Sequence, residues 1–428
     1  MNKLKIDESC LLGAPLIPGT AIDTTLANRC EDLDRAIDRL HFLNAHDALV
    51  LLRACFSAPR ILHTIRCSPC AGKEHLVQFD KLLRKELIAN SDLSDIQWTQ
   101  ASLLVREGGL GIRRVASLAP SAFLASSAST RTLQSLLLGL SSLPSEPVVD
   151  SAAAQWSSIH GLTQPDHTLA AKQCVWDAPV IAGDNSVIWA SLTDNQSRAR
   201  LLVISAPHSG DWLHALPVAA CGTRLDDEAV RVAVGLHLEV NLCEPHPCSC
   251  GTPVYAHGTH GLSCKRSAGR STRHHQLNYL IWRAFGRASV PSIKEPNGLF
   301  RSDGKRPDGL TLIPWQAGRC LAWDATVVDT LAASYIQASS TAAGSVAKVA
   351  KYSAISQIHI FVPLAVETLG VINQKGVKFL SELANHLRFV TDDPRESSFL
   401  FQHISILIQR FNASCFQGTL DQPEEADV

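Results

Sequence analysis

Residues 306–328 read RPDGLTLIPWQAGRCLAWDATVV. Two β-like runs, 310–314 and 321–328, lie in this stretch. Asp308 leads into the first and Asp324 sits inside the second. Fifteen residues separate the two aspartates, enough for a hairpin that returns the second strand beside the first. Carboxylates held side by side repel, and a hard cation such as Mg²⁺ relieves the repulsion. Such a cation orients water and stabilises the departing 3′ oxygen of a phosphodiester. Glu295, after a β-like run at 290–293, is a candidate third carboxylate. A lysine beside the pair would position the water and balance phosphate charge, and Lys351 and Lys348 are the candidates. The plain alternative is a solvated hairpin, since many hairpins carry two aspartates.

Upstream, Cys248, Cys250, His260 and Cys264 are spaced C-x-C-x9-H-x3-C. Zinc takes four such ligands in a tetrahedron, and two close pairs joined by a loop supply them. Gly251, Gly258 and Gly261 let the loop turn tightly. His257 and Cys243 are substitute ligands, and three structural thiols with a surface histidine are the bland alternative. From 264 to 320 there are eleven Lys/Arg against three Asp/Glu, an excess of eight positive charges. With a net charge of −1 for the whole chain, any nucleic-acid surface must be local. Cys67 and Cys70 form a second C-x-x-C in helical surroundings with no partner pair nearby, which reads as two packed thiols.

The rest is read from periodicity. Apolar residues three and four apart (Leu33, Ile37, Leu40, Leu43) predict a helix over 28–45, continuing over 47–66 until Pro59, and again over 74–89. Residues 126–165 are rich in Ser, Pro and Ala and read as a linker. Acidic residues at 226–228 suit the first turn of a short helix over 226–238. A helix is expected over 272–286, capped by Thr272, another around 342–355, a β-like run at 358–366, and closing helices at 374–389 and 397–413. The fold class is α+β and multidomain. Hydrophobic residues make up 46% and charged residues 18%, which argues against wholesale disorder. The amino terminus lacks an apolar signal region, and no run of about 18 apolar residues is evident. With thirteen scattered cysteines, this fits a nuclear or cytoplasmic protein, not a secreted one.

The aspartate pair resembles the PD-(D/E)xK nuclease pattern, with Thr326 where that pattern expects lysine. The order of pieces resembles the tail of non-LTR retrotransposon proteins that carry a restriction-like endonuclease. Those pieces are the Cys/His knuckle, Arg273-His274-His275, Lys305-Arg306-Pro307-Asp308, Trp323-Asp324, Lys351-Tyr352 and Val366-Glu367-Thr368-Leu369-Gly370. Leu12-Gly13-Ala14-Pro15, Phe56-Ser57-Ala58-Pro59-Arg60 and Gly108-Gly109-Leu110-Gly111-Ile112-Arg113 resemble the region after the polymerase palm. The resemblance implies a helical, thumb-like post-polymerase region over 1–140, a linker over 141–225 and a helix with zinc knuckle over 226–268. A restriction-like α/β core follows over 269–415, then an acidic tail over 416–428. It implies a DNA nickase with Mg²⁺ on Asp308 and Asp324, Lys351 as the catalytic lysine and structural Zn²⁺ on the knuckle. Arg270, Arg273, His274, Lys305 and Arg306 would face DNA, with element RNA a further partner and no membrane involved. Neither Asp226-Asp227 nor Asp392-Asp393 sits in an apolar hairpin, so no reverse transcriptase activity is expected and the chain reads as a fragment of an element protein. A non-catalytic zinc-knuckle remnant that binds nucleic acid is the competing reading, and a decayed reading frame the third.

Overall fold

Apolar stripes commit the first part of the chain to helices. The structure is a computed structural model and describes residues 9–15, 18–87, 93–141, 143–299, 306–331 and 358–420. It divides into two compact units, residues 1–104 with 109–191, and residues 105–108 with 192–428. The chain mixes helix and strand and is α+β in class.

In the first unit a small hairpin (β1, Cys10–Leu11; β2, Ala14–Pro15) precedes α1, Thr20–Leu40. Buried Ala21 and Ile22 extend the stripe of Leu26, Leu33, Ile37 and Leu40, so this helix starts well before residue 28. α2 (Ala45–Leu51) runs through a π turn at Leu52–Phe56 into α3 (Ala58–Cys67), where Pro59 occupies the first turn rather than ending a helix. By length and composition alone, Ala45–Cys67 is apolar enough to cross a membrane. α4 (Glu74–Leu87), α5 (Asp95–Ser102) and α6 (Val115–Leu138) follow. The expected linker is instead helical: α7 (Pro147–His160), α8 (His167–Ala170) and α9 (Gln173–Ser191). Trp156 and Trp176 pack edge to face at 4.9 Å, and each indole N–H donates to a backbone carbonyl, of Trp176 and Ala170 respectively. Two tryptophans anchor a small core among alanines, and low charge alone concealed it.

Asp80, buried on α4, accepts from the amides of Val115 and Ala116 at the start of α6 at 2.7 and 3.1 Å. It does for α6 what no residue in the local sequence does, because Arg114 offers no side-chain cap. Asp80→Ala should cost about 1–2 kcal/mol, read from urea unfolding. Burial pushes the Asp80 carboxyl up to about 6, against the amide bonds and Arg114. A raised folded pKa means that its contribution is fullest in acid and declines as pH rises through about 6. The gap between wild type and Asp80→Ala should therefore narrow over that range.

The second unit holds α10 (Asn195–Ile204), α11 (Asp227–Leu238), a two-residue-strand hairpin (β3, His246–Pro247; β4, Pro253–Val254) and α12 (Ala268–Arg287). A sheet ordered β5-β6-β7-β8 comprises Ser292–Lys294, Gly309–Thr311, Leu321–Val328 and Ile360–Glu367. β5, β6 and β7 pair antiparallel, and β8 lies parallel to β7. α13 (Gln374–Thr391) and α14 (Glu396–Gln417) close the unit. Alternation along β7 sends Leu321, Trp323 and Ala325 into the main core with Leu277, Ile281 and Phe285 of α12. Ala322 faces the other way, with Leu310 and Phe361. The helix expected at 342–355 lies outside the described residues, as do 421–428 of the expected tail.

Candidate functional site

The β3–β4 hairpin turns at Gly251, whose φ of 87° is left-handed. The turn swings Cys248 and Cys250 toward a 3₁₀ turn, Thr259–Leu262, that carries His260 and leads to Cys264. Cys248 Sγ lies 3.7 Å from Cys264 Sγ, and Cys250 Sγ 3.2 Å from His260 Nε2. All four ligand atoms fall within 4.8 Å of one another. A tetrahedral zinc with bonds of about 2.3 Å to sulfur has a sulfur–sulfur edge of about 3.8 Å, so the sulfurs already stand at the edge of such a tetrahedron. The Thr252 hydroxyl and amide hold the Cys250 thiol down to about 6, while burial pushes Cys264 up. This cluster could hold zinc, and the one-residue gap between the first cysteines is accommodated by the hairpin. Neither substitute ligand belongs to it. Cys243 Sγ turns to the Tyr255 and Ala256 carbonyls, and His257 lines a small cavity with Arg200 and Glu239. In the other motif Cys70 is buried, its thiol pushed up to about 12, but Cys67 is exposed beside His63 and is not a packed thiol.

The knuckle is seated on α14. A Cβ at Gly258 would come within 2.5 Å of the Phe416 ring, and one at Gly261 within 2.8 Å of the Cys415 carbonyl. Arg273 bolts this contact. It is 1% exposed, donates to Asn412 Oδ1 at 2.7 Å and to the Leu262 carbonyl at 3.1 Å, and Asn412 donates to the Thr368 carbonyl at the end of β8 at 2.7 Å. Burial lowers the Arg273 pKa, offset by Cys415 and Asp329. Arg273 therefore cannot be the phosphate contact expected from sequence. α12 begins at Ala268, with no cap from Thr272, whose hydroxyl donates to the Ala268 carbonyl within the helix. On that helix Arg273 falls on the inward stripe with Leu277 and Ile281. Arg273→Ala should lose about 3 kcal/mol of stability, the scale for breaking a buried charged network. Urea unfolding of that variant checks this.

Gly309 pairs with Trp323 across β6 and β7; Asp308 is the bend residue just before β6, and Asp324 follows Trp323 on β7. A Cβ on Gly309 would strike the Trp323 ring at 2.0 Å, which makes glycine obligatory there. Asp308 is nearly buried, and its Oδ2 accepts from the Ala325 amide at 2.6 Å. His274 Nε2 lies 3.3 Å from that oxygen and 3.1 Å from the Ala325 carbonyl. The hydrogen bond to Asp308, then the charges of Asp308 and Asp324, raise the His274 pKa against the effect of burial. Asn278 clamps the hairpin from α12, donating to the Asp308 carbonyl at 3.2 Å and accepting from Trp323 Nε1 at 2.9 Å. The signal for Asn278 was an amide bordering the apolar stripe of a helix.

The remaining expected residues stand as follows. Glu295 is exposed, in left-handed backbone at φ 47°, and reaches Asp308 only through its amide, which donates to that carbonyl at 3.0 Å. Thr326 lies on β7, two residues past Asp324. Arg270 and Arg306 are exposed, bonded to the Ser263 carbonyl at 3.4 Å and to Asn297 Oδ1 at 2.9 Å. Lys305, Lys348 and Lys351 lie outside the described residues. Among the described residues, the Cys/His cluster alone brings three or more metal-ligating side chains within 4.8 Å of one another. No family model matches the chain, and no curated protein matches it.

Proposed function

We propose that the second unit is a metal-dependent DNA endonuclease of the restriction-like type carried by non-LTR retrotransposon proteins, braced by a zinc knuckle. One observation carries this reading: His274 is bonded to Asp308, which directly precedes β6, and its pKa is raised by Asp308 and by Asp324 of the neighbouring β7. Asp308 and Asp324 would hold Mg²⁺, which when bound activates water and stabilises the departing 3′ oxygen. The Ala325 amide and His274 fix the Asp308 carboxylate, so its orientation does not depend on the cation. Lys351 or Lys348 would supply the positive charge that Thr326 does not. A nicking assay on supercoiled plasmid tests this, with Mg²⁺, with chelator, and with Asp308→Ala. Relaxed circles that need Mg²⁺ and Asp308 are expected. Binding without nicking under every condition would instead select the non-catalytic knuckle remnant.

A further inference from the structure

Beside the aspartate pair, α12 and the edge strand β5 build a cationic platform. Lys294 Nζ lies 5.3 Å from the centroid of the Tyr279 ring and 5.2 Å from that of Trp282. The Arg283 guanidinium lies 5.8 Å from the Tyr279 centroid. Trp282 is fixed in turn, its indole N–H donating to the Ser292 carbonyl of β5 at 3.1 Å. Among the described residues neither Lys294 nor Arg283 makes an ion pair, and the adjacent acid Glu295 makes none with Lys294. Both cations and Tyr279 are exposed.

We propose that Lys294 and Arg283, docked on Tyr279 and Trp282, bind backbone phosphates of duplex DNA next to the bond cleaved at Asp308 and Asp324. The surface rests on the endonuclease reading for its substrate. The physical argument is that an aromatic face holds a cation without cancelling its charge, whereas a carboxylate would neutralise it. The ring contacts restrict two flexible side chains before DNA arrives and leave their N–H donors for phosphate oxygens. Position identifies the partner. Lys294 pairs in the sheet with Gly309, the residue after Asp308. Tyr279 follows His274 by five positions on α12, about 7.5 Å along the axis, or roughly two nucleotides at about 3.4 Å each. Phosphates so bound lend affinity and register but no sequence preference.

The test is fluorescence anisotropy of the full chain with a labelled DNA duplex of arbitrary sequence, titrated over a range of KCl. The double variant K294A/R283A should lower the slope of log affinity against log salt by about 1.8, at about 0.9 per lost phosphate contact. Tyr279→Leu keeps both charges and should keep the slope while weakening binding about three-fold, the scale of an exposed cation–π contact. Circular dichroism and urea midpoints should match wild type for each. A wild-type chain that binds no duplex, or a double variant with an unchanged slope, overturns the platform. An unchanged slope with intact nicking overturns it alone. A slope lost as expected in a chain that never nicks keeps the platform and removes the endonuclease.

Discussion

Asp324→Asn is expected to abolish Mg²⁺-dependent nicking, lowering the rate by about 10³-fold or more. The substitution keeps the size of the side chain and removes one of two negative charges from the pair. Charge stabilisation by a bound divalent cation is worth several kcal/mol in the transition state, and about 4 kcal/mol corresponds to 10³ in rate. Asp324 is half-buried on β7, so the urea midpoint should barely move, and the loss is chemical rather than structural. His274→Ala should cost less, about 10–100-fold, because it removes a group that orients a ligand and not the ligand itself. Single-turnover nicking at saturating Mg²⁺, then over a range of Mg²⁺, separates the two. The Asp324 variant stays inactive throughout, while the His274 variant recovers partly at high metal. Nicking that survives Asp324→Asn would assign the cleavage to another site.

The hairpin was legible because its physics is local. Trp323 and Leu321 alternate with smaller residues, and the pairing that results sets Gly309, the residue after Asp308, beside Trp323, the residue before Asp324. The Cys/His cluster was legible because four residues able to bind a metal crowd into a segment with almost no apolar residues. What escaped was decided by where a helix begins. A cap at Thr272 would have left Arg273 in the first, solvent-facing turn, but α12 starts at Ala268 and turns Arg273 inward. The signal was present in the spacing of Arg273, Leu277 and Ile281, four residues apart on one face. A basic residue on an apolar stripe in a basic region invites a reading as a DNA contact, and only its partners Asn412 and Leu262, one of them distant in sequence, show otherwise. The platform on Tyr279 and Trp282 needed tertiary structure too, since Lys294 reaches those rings only once β5 lies against α12.

Removing zinc should unfold the second unit rather than merely free a finger. Structural zinc contributes about 10–16 kcal/mol of apparent binding energy, which matches or exceeds the roughly 5–15 kcal/mol that stabilises a domain. In the knuckle Val254 and Leu262 are the fully buried aliphatic residues, so little else holds its two halves together. Leu262 offers its carbonyl to Arg273, and through Asn412 that contact reaches the end of β8. Melting the knuckle would strand a buried guanidinium and loosen α12, the helix that carries His274 and Asn278 against the aspartate pair. Purified protein should therefore contain one zinc per chain by elemental analysis. Cobalt in its place should give the strong near-ultraviolet absorption of thiolate ligation. Cys264→Ser and a zinc-selective chelator should each collapse the thermal transition of this unit and abolish nicking even in excess Mg²⁺. A chain that carries no zinc and melts identically with and without chelator would show that the thiols are only packed together. Loss of zinc with a preserved melt but lost DNA binding would instead make the knuckle an independent finger and break the proposed link through Arg273.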